Sequence, residues 1–233
     1  MIKIENITKS FNQQVVVNNL NLEINSGEIV GLLGANGAGK STTINLRLGF
    51  INPDSGSIFI DGKEVSKNVN EIRKQIGYIP ENVTLYPYLT GIENLNYFCK
   101  LSKKYYSQKE LETFLLECGL PLESHHKKVE QYSKGMRQKV GIAIAYSRNA
   151  KIYLLDEPAS GLDPLANNEL SVLLKKLANN GATIVMASHD IFRVNETCNR
   201  IEILKNGQLV KEVIGGSMSS NELEDIYINY IKN

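Results

Sequence analysis

The sequence predicts an α/β fold: a parallel sheet covered on both faces, with an antiparallel β layer in front and a helical insert within. Three observations predict it. Apolar runs at 29–33, 152–155 and 183–187 read as strands buried on both faces, and helical patterns fall between them. The first 28 residues alternate, with Ile2, Ile4, Leu20, Leu22 and Ile24 apolar, as short half-buried strands do. From about 85 to 148 the pattern turns helical and interrupts the strand–helix alternation.

The elements follow in order. Ile29-Val30-Gly31-Leu32-Leu33 is a strand, and Thr43 to Leu48 a helix. Asn52-Pro53-Asp54-Ser55-Gly56 is turn chemistry. Ile58 and Ile60 alternate towards Asp61-Gly62, a hairpin turn. Ile76 to Ile79 is a strand stopped by Pro80. Leu111, Phe114, Leu115 and Cys118 fall at i, i+3, i+4, i+7 on one helix face, which Gly119 and Pro121 end. A helix starts near Ser133 and includes Val140, Ala143 and Ile144. Leu170, Leu173, Leu174 and Leu177 mark the next helix, capped by Asn180-Gly181. Residues 201–204 form another strand, and Leu223, Ile226, Tyr227 and Tyr230 line a docked terminal helix.

With 233 residues, 42% hydrophobic and 22% charged, the composition is that of an ordinary soluble globule. A net charge of +1 gives no electrostatic footprint for nucleic acid. No uninterrupted apolar run reaches the roughly 18 residues of a membrane span. Met1 to Glu5 alternates like a strand rather than a signal peptide. Three distant cysteines, Cys99, Cys118 and Cys198, make neither a disulfide framework nor a metal cluster, which fits a reducing cytoplasm. His125-His126, beside Lys127-Lys128, reads as a solvated loop rather than a metal site.

Gly34-Ala35-Asn36-Gly37-Ala38-Gly39-Lys40-Ser41 fits G-x-x-x-x-G-K-[ST], followed by Thr42. A strand precedes it and a helix follows, the context that separates a phosphate-binding loop from a glycine-rich turn. Glycines let backbone N–H groups wrap a polyphosphate, and the new helix adds its positive end. Lys40 reaches the terminal phosphates, and Ser41 ligates Mg²⁺. Paired acids, Asp156-Glu157, end the run 152–155, where parallel sheets bind ligands. Asp156 suits Mg²⁺, and Glu157 suits a general base for the attacking water. His189, beyond the strand 183–187, can hydrogen-bond a γ-phosphate, although a lone His is more often structural.

In order and spacing, residues 34–42, Tyr132 to Lys139, Ile152 to Pro164 and Ser188-His189-Asp190 resemble the ATP-binding subunits of ABC transporters. The resemblance covers nearly the whole chain. It implies a RecA-like P-loop NTPase core with an antiparallel β layer and a helical subdomain. The domain organisation is then one ABC ATPase domain, 1–233. Residues 1–84 and 149–215 form the nucleotide-binding core, 85–148 the helical subdomain and 216–233 a C-terminal helix.

The resemblance also implies roles. Lys40, Glu157 and His189 serve catalysis. Phe11 sits where the family stacks an aromatic on adenine, and Asp163 lies in a loop facing a second subunit. Ser133 and Gly135 belong to the signature that caps ATP bound by a partner chain. Ser41, Asp156 and Glu81 would hold Mg²⁺. The implied partners are a second copy of the chain and a transmembrane permease, the permease contacted through Glu81 to Leu89. The implied place is the cytoplasm, at the inner face of the membrane.

Two positions depart from the common pattern. Tyr132-Ser133-Lys134-Gly135-Met136 replaces Leu-Ser-Gly-Gly-Gln, and Glu81 stands where Gln is usual. Both resemble the branch that drives ABC-2-type exporters. Residues 78–87 and 132–138 also resemble the ATPase of the nitrous oxide reductase maturation exporter, which serves copper-site assembly. The alternative is a soluble ABC ATPase in translation or repair. Translation-type members carry two copies of the domain, and repair members insert a long coiled coil; this sequence has a single copy and no heptads.

Overall fold

The computed structural model describes residues 1–232. Strands β1 (Ile2–Phe11) and β2 (Gln14–Ile24) form an antiparallel pair with Ile2 opposite Ile24. Their alternation buries Ile2, Ile4, Leu20, Leu22 and Ile24 as expected. The strands are longer than the short ones predicted, and bulges shift their register. Strand β3 (Ile29–Leu33) leads through the loop 34–39 into α1 (Lys40–Arg47). Next, β4 (Ser55–Ile60) and β5 (Lys63–Glu64) form the predicted hairpin. Its turn residues Asp61 and Gly62 have φ of 48° and 77°, the positive values a two-residue turn needs to match strand twist.

Helix α2 (Val65–Arg73) and strand β6 (Ile76–Ile79) follow. The insert consists of α3 (Gly91–Leu101), α4 (Gln108–Glu117) and α5 (Lys134–Ser147). Capping boxes start two of these helices, Thr90 with Glu93 and Ser107 with Glu110. Ser133 caps α5, so that helix begins where the sequence places it. The alternation resumes with β7 (Ile152–Asp156), α6 (Pro164–Asn179), β8 (Thr183–Ser188), α7 (Ile191–Thr197) and β9 (Arg200–Lys205). Strand β10 (Gln208–Ile214) and helix α8 (Ser220–Lys232) complete the described chain.

The strands make two sheets. One is antiparallel, in the order β2-β1-β4-β5. The other runs β10-β9-β3-β8-β7-β6, parallel except for β10. Each central strand feeds two cores through its alternation. Val30 and Leu32 face the antiparallel sheet and α1, whereas Ile29 and Leu33 pack with the helical side.

Some features depart from the sequence reading. The edge strand β10 turns back antiparallel to β9, and neither it nor α2 was foreseen. His125 does not lie in a solvated loop. It is fully buried, with Nε2 2.9 Å from the Leu120 carbonyl oxygen, and only His126 is exposed. Among the described residues no helix is long and apolar enough to cross a membrane.

Gly56 and Gly62 separate two costs of a side chain. Both have positive φ, but a Cβ at Gly56 would strike the Glu5 and Asn6 carbonyls, whereas Gly62 faces open space. Gly62→Ala is expected to cost about 1 kcal/mol of left-handed strain. Gly56→Ala should cost clearly more, about 3 kcal/mol, because β1 must also move aside. Urea unfolding of both variants checks the order.

Candidate functional site

The site forms at the carboxyl ends of β3, β7 and β8. Loop 34–39 can wrap a ligand only because other main chain closes in behind it. A Cβ on Gly34 would lie 2.7 Å from the Leu204 carbonyl oxygen, and one on Gly39 would lie 2.7 Å from that of Val16. Gly39 also has φ of 98°, a conformation that suits glycine alone. The result is a cleft of about 240 Å³. Lys40, Ser41, Glu81, Glu157 and His189 line it together with the loop.

Lys40 is 6% exposed and points back into the loop. Its Nζ donates to the Gly34 carbonyl at 2.7 Å and the Ala35 carbonyl at 3.1 Å. Burial lowers its pKa, against the attraction of Glu157, Asp156 and Glu81. Burial raises the Asp156 pKa, with Glu157 and Glu81 adding to the rise and the Ser41 hydrogen bond opposing it. The Ser41 hydroxyl donates to Asp156 Oδ1 at 3.0 Å. Ser41, Asp156 and Glu81 are thus hard oxygen donors around one cleft, the set a Mg²⁺ ion takes. When bound, such an ion neutralises phosphate charge.

Glu157 has φ of 46°, unusual for a residue with a Cβ. Such strain clusters at functional sites. It directs the carboxylate into the cleft. Oε1 lies 2.9 Å from His189 Nδ1 and 3.9 Å from Lys40 Nζ. The Ser188 hydroxyl donates to Oε2 at 3.4 Å.

Eight predicted positions are not among the lining residues: Gly34, Ala35, Ala38 and Asp156, which belong to the loop and to the strand end bonded to Ser41, and Phe11, Asp163, Ser133 and Gly135. Phe11 is 44% exposed, with Lys9 Nζ 5.5 Å from its ring centre. The Asp163 carboxylate caps α6 by accepting from Ala166 N–H at 2.9 Å. The Ser133 hydroxyl caps α5, accepting from Met136 N–H at 3.2 Å. Gly135 packs on the loop after Glu157, where a Cβ would approach the Gly161 carbonyl at 2.7 Å. Two lining residues, Val16 and Ser160, were not assigned from sequence. The Val16 carbonyl abuts Gly39, a main-chain contact that no side-chain pattern encodes. Ser160 holds Lys134 Nζ at 2.7 Å, linking the start of α5 to the cleft of the same chain.

A glycine-built cradle, a buried lysine and a strand-end acid pair define a phosphate-loop nucleotide-binding protein. The family model described as ABC transporter matches residues 17–160. A lantibiotic transport ATP-binding protein of Streptococcus pyogenes is 34% identical over 99% of this chain and 97% of its own. A bacitracin transport ATP-binding protein of Enterococcus faecalis is 37% identical over 91% of this chain and 69% of its own. An ATP-binding cassette solved as a dimer in a post-hydrolysis state with ADP and Pi is 31% identical, with a TM-score of 0.84. That match covers 92% of this chain and 98% of that one. The chain belongs to the ABC transporter ATP-binding family, whose members bind ATP, pair as dimers and work as ATPases with transmembrane permeases.

Asp156→Asn keeps the size of the side chain but removes the charge. MgATP affinity is expected to fall about tenfold or more, because a hard cation loses a carboxylate ligand. ATP without Mg²⁺ should bind as well or better. Calorimetric titration with and without EDTA reads both arms.

Proposed function

We propose that this chain is the motor of an ABC-2-type exporter, hydrolysing MgATP between two copies of itself. The observation that carries the reading is the placement of Glu157, with its carboxylate between His189 and the buried ammonium of Lys40. That position suits a general base aimed at a water beside the terminal phosphate. Ser41, Asp156 and Glu81 hold Mg²⁺, while Lys40 and the N–H groups of 34–39 bind the phosphates. Ser133 and Gly135 at the start of α5, with Asp163, contact the nucleotide held by the partner chain. Phe11, exposed at the end of β1, supplies a face for adenine.

The permease surface is the segment from Glu81 to Leu89 with the aromatic cluster behind it. Tyr86 packs edge-on to Tyr97 with ring centres 4.9 Å apart, and Tyr88 is 77% exposed. An exposed aromatic surface beside the cleft suits a partner helix. Attachment to such a permease puts the chain at the cytoplasmic face of the membrane.

The cargoes for which these relatives are named, lantibiotics and bacitracin, favour a peptide-antibiotic exporter. Copper-site maturation rests only on the local likeness of 78–87 and 132–138, so the peptide reading is preferred.

Glu157→Gln is expected to lower turnover by about 10²–10⁴-fold, the range for loss of a general base. ATP binding should persist, and the stalled protein should elute as a dimer with MgATP. A monomeric variant that still hydrolyses ATP would overturn the assignment. Copurification of a transmembrane protein, lost on mutation of Tyr88, tests the permease surface.

A further inference from the structure

Arg47 is the last residue of α1 and fully buried. Glu202 lies within β9 and is also fully buried. On β9, Ile201 and Ile203 pack on the helical side, and Leu204 on the side of the antiparallel sheet. Alternation sends Glu202 to the same side as Leu204. Ile44, one turn before Arg47 on α1, sits in that core as well. Two opposite charges therefore enter one apolar layer from its two walls.

Neither side chain has a hydrogen-bond partner among the described residues: Nε, Nη1 and Nη2 of Arg47 have none, nor does either oxygen of Glu202. Arg200 Nη1 approaches Glu202 Oε1 to 3.5 Å, but that guanidinium bonds Glu28 at 2.7 Å and Glu212 at 2.8 Å. The charges facing Glu202 are Arg47 from α1, Arg200 on its own strand, Glu212 from β10 and Glu28 ahead of β3. Burial pushes Glu202 up to about 7, against the pull of Arg47 and Arg200. It pushes Arg47 down to about 10, against the pull of Glu202. At both groups loss of hydration outweighs attraction, the condition in which replacing a buried pair by apolar residues need not cost stability.

The two elements that carry this pair also frame the phosphate loop. Helix α1 begins with Lys40 and Ser41. The end of β9 backs the loop, since the Leu204 carbonyl abuts Gly34. The Gly207 N–H donates to the Ala38 carbonyl at 3.1 Å. We propose that Arg47 and Glu202 are positioning residues, an internal charge pair that draws the far end of α1 onto β9 and sets the reach of Lys40 and Ser41. In a water-poor core, attraction acts without a direct hydrogen bond. The inference rests on the nucleotide-site reading above and adds a determinant of its affinity.

The full chain is tested as wild type, Arg47→Leu, Glu202→Leu and the double variant, by thermal melting and by titration with a non-hydrolysable MgATP analogue. Glu202→Leu leaves Arg47 without a counter-charge and Arg47→Leu leaves Glu202 with only the shared Arg200, so each should melt lower than wild type, Glu202→Leu by more than ~5 °C. The double variant should melt at or above wild type, yet bind the analogue about fivefold or more weakly. If the single variants do not fold, the double variant and Glu202→Gln carry the test. Relative to Glu202→Gln, wild-type affinity should fall as pH drops through about 7, where Glu202 takes up its proton and Arg47 loses its counter-charge; this comparison cancels the nucleotide's own titration. Wild-type affinity in the double variant would overturn positioning. Melting losses that simply add would show that the two charges do not face each other. Failure of the wild type to bind the analogue would instead overturn the nucleotide site itself, and the pair's role with it.

Discussion

Main-chain crowding around residues 34–39 is the constraint on which the rest depends. The loop is backed by Val16 at Gly39 and by Leu204 at Gly34, both through carbonyl oxygens. Gly207 adds a hydrogen bond to Ala38 from the same side. The cradle is thus a joint of three backbones, from β2, the loop and the β9–β10 turn. That joint explains why an antiparallel layer stands against the parallel sheet. One strand of the layer closes the wall that a self-contained loop would leave open.

The cradle holds charges of both signs at close quarters. A buried ammonium faces Asp156, Glu157 and Glu81, and Lys40 leans back on the loop carbonyls. A polyphosphate with its cation completes the arrangement from both sides. The phosphates give Lys40 and the N–H groups their anions, and the cation gives the carboxylates a counter-charge.

What could be read in the sequence was what is local. The phosphate loop, the Asp156-Glu157 strand end and the cap at Ser133 each depend on neighbours a few residues away, and each lies where the pattern placed it. Strand β10 escaped because an edge strand with one wet face carries little apolar signal. Helix α2 is short, polar and kinked at Asn68. His125 escaped because its burial goes with a ring contact to the Leu120 carbonyl and a main-chain bond from Ile92 at the start of α3, not with its charged neighbours in sequence. The Arg47–Glu202 pair is the extreme case. Helix and strand periodicity assign charges to the surface, and only the packed fold reveals two of them inside.

The same distinction bears on the proposal that a partner chain completes the site. Loop 34–39, Lys40, Ser41, Glu81, Asp156, Glu157 and His189 all follow or end strands of one sheet, so the sheet's own pairing assembles them. Ser133 and Gly135 sit at the free end of α5, outside that set, with helix N–H groups that only the Ser133 hydroxyl begins to satisfy. Yet α5 is not independent of the cleft. Lys134 grips Ser160, and Ser160 lines the cleft only three residues after Glu157. The loop beyond Glu157 is therefore tied to the start of α5 by the Lys134–Ser160 contact, by the Gln138 amide that donates to the Pro158 carbonyl at 3.2 Å, and by the close seat of Gly135 on Gly161.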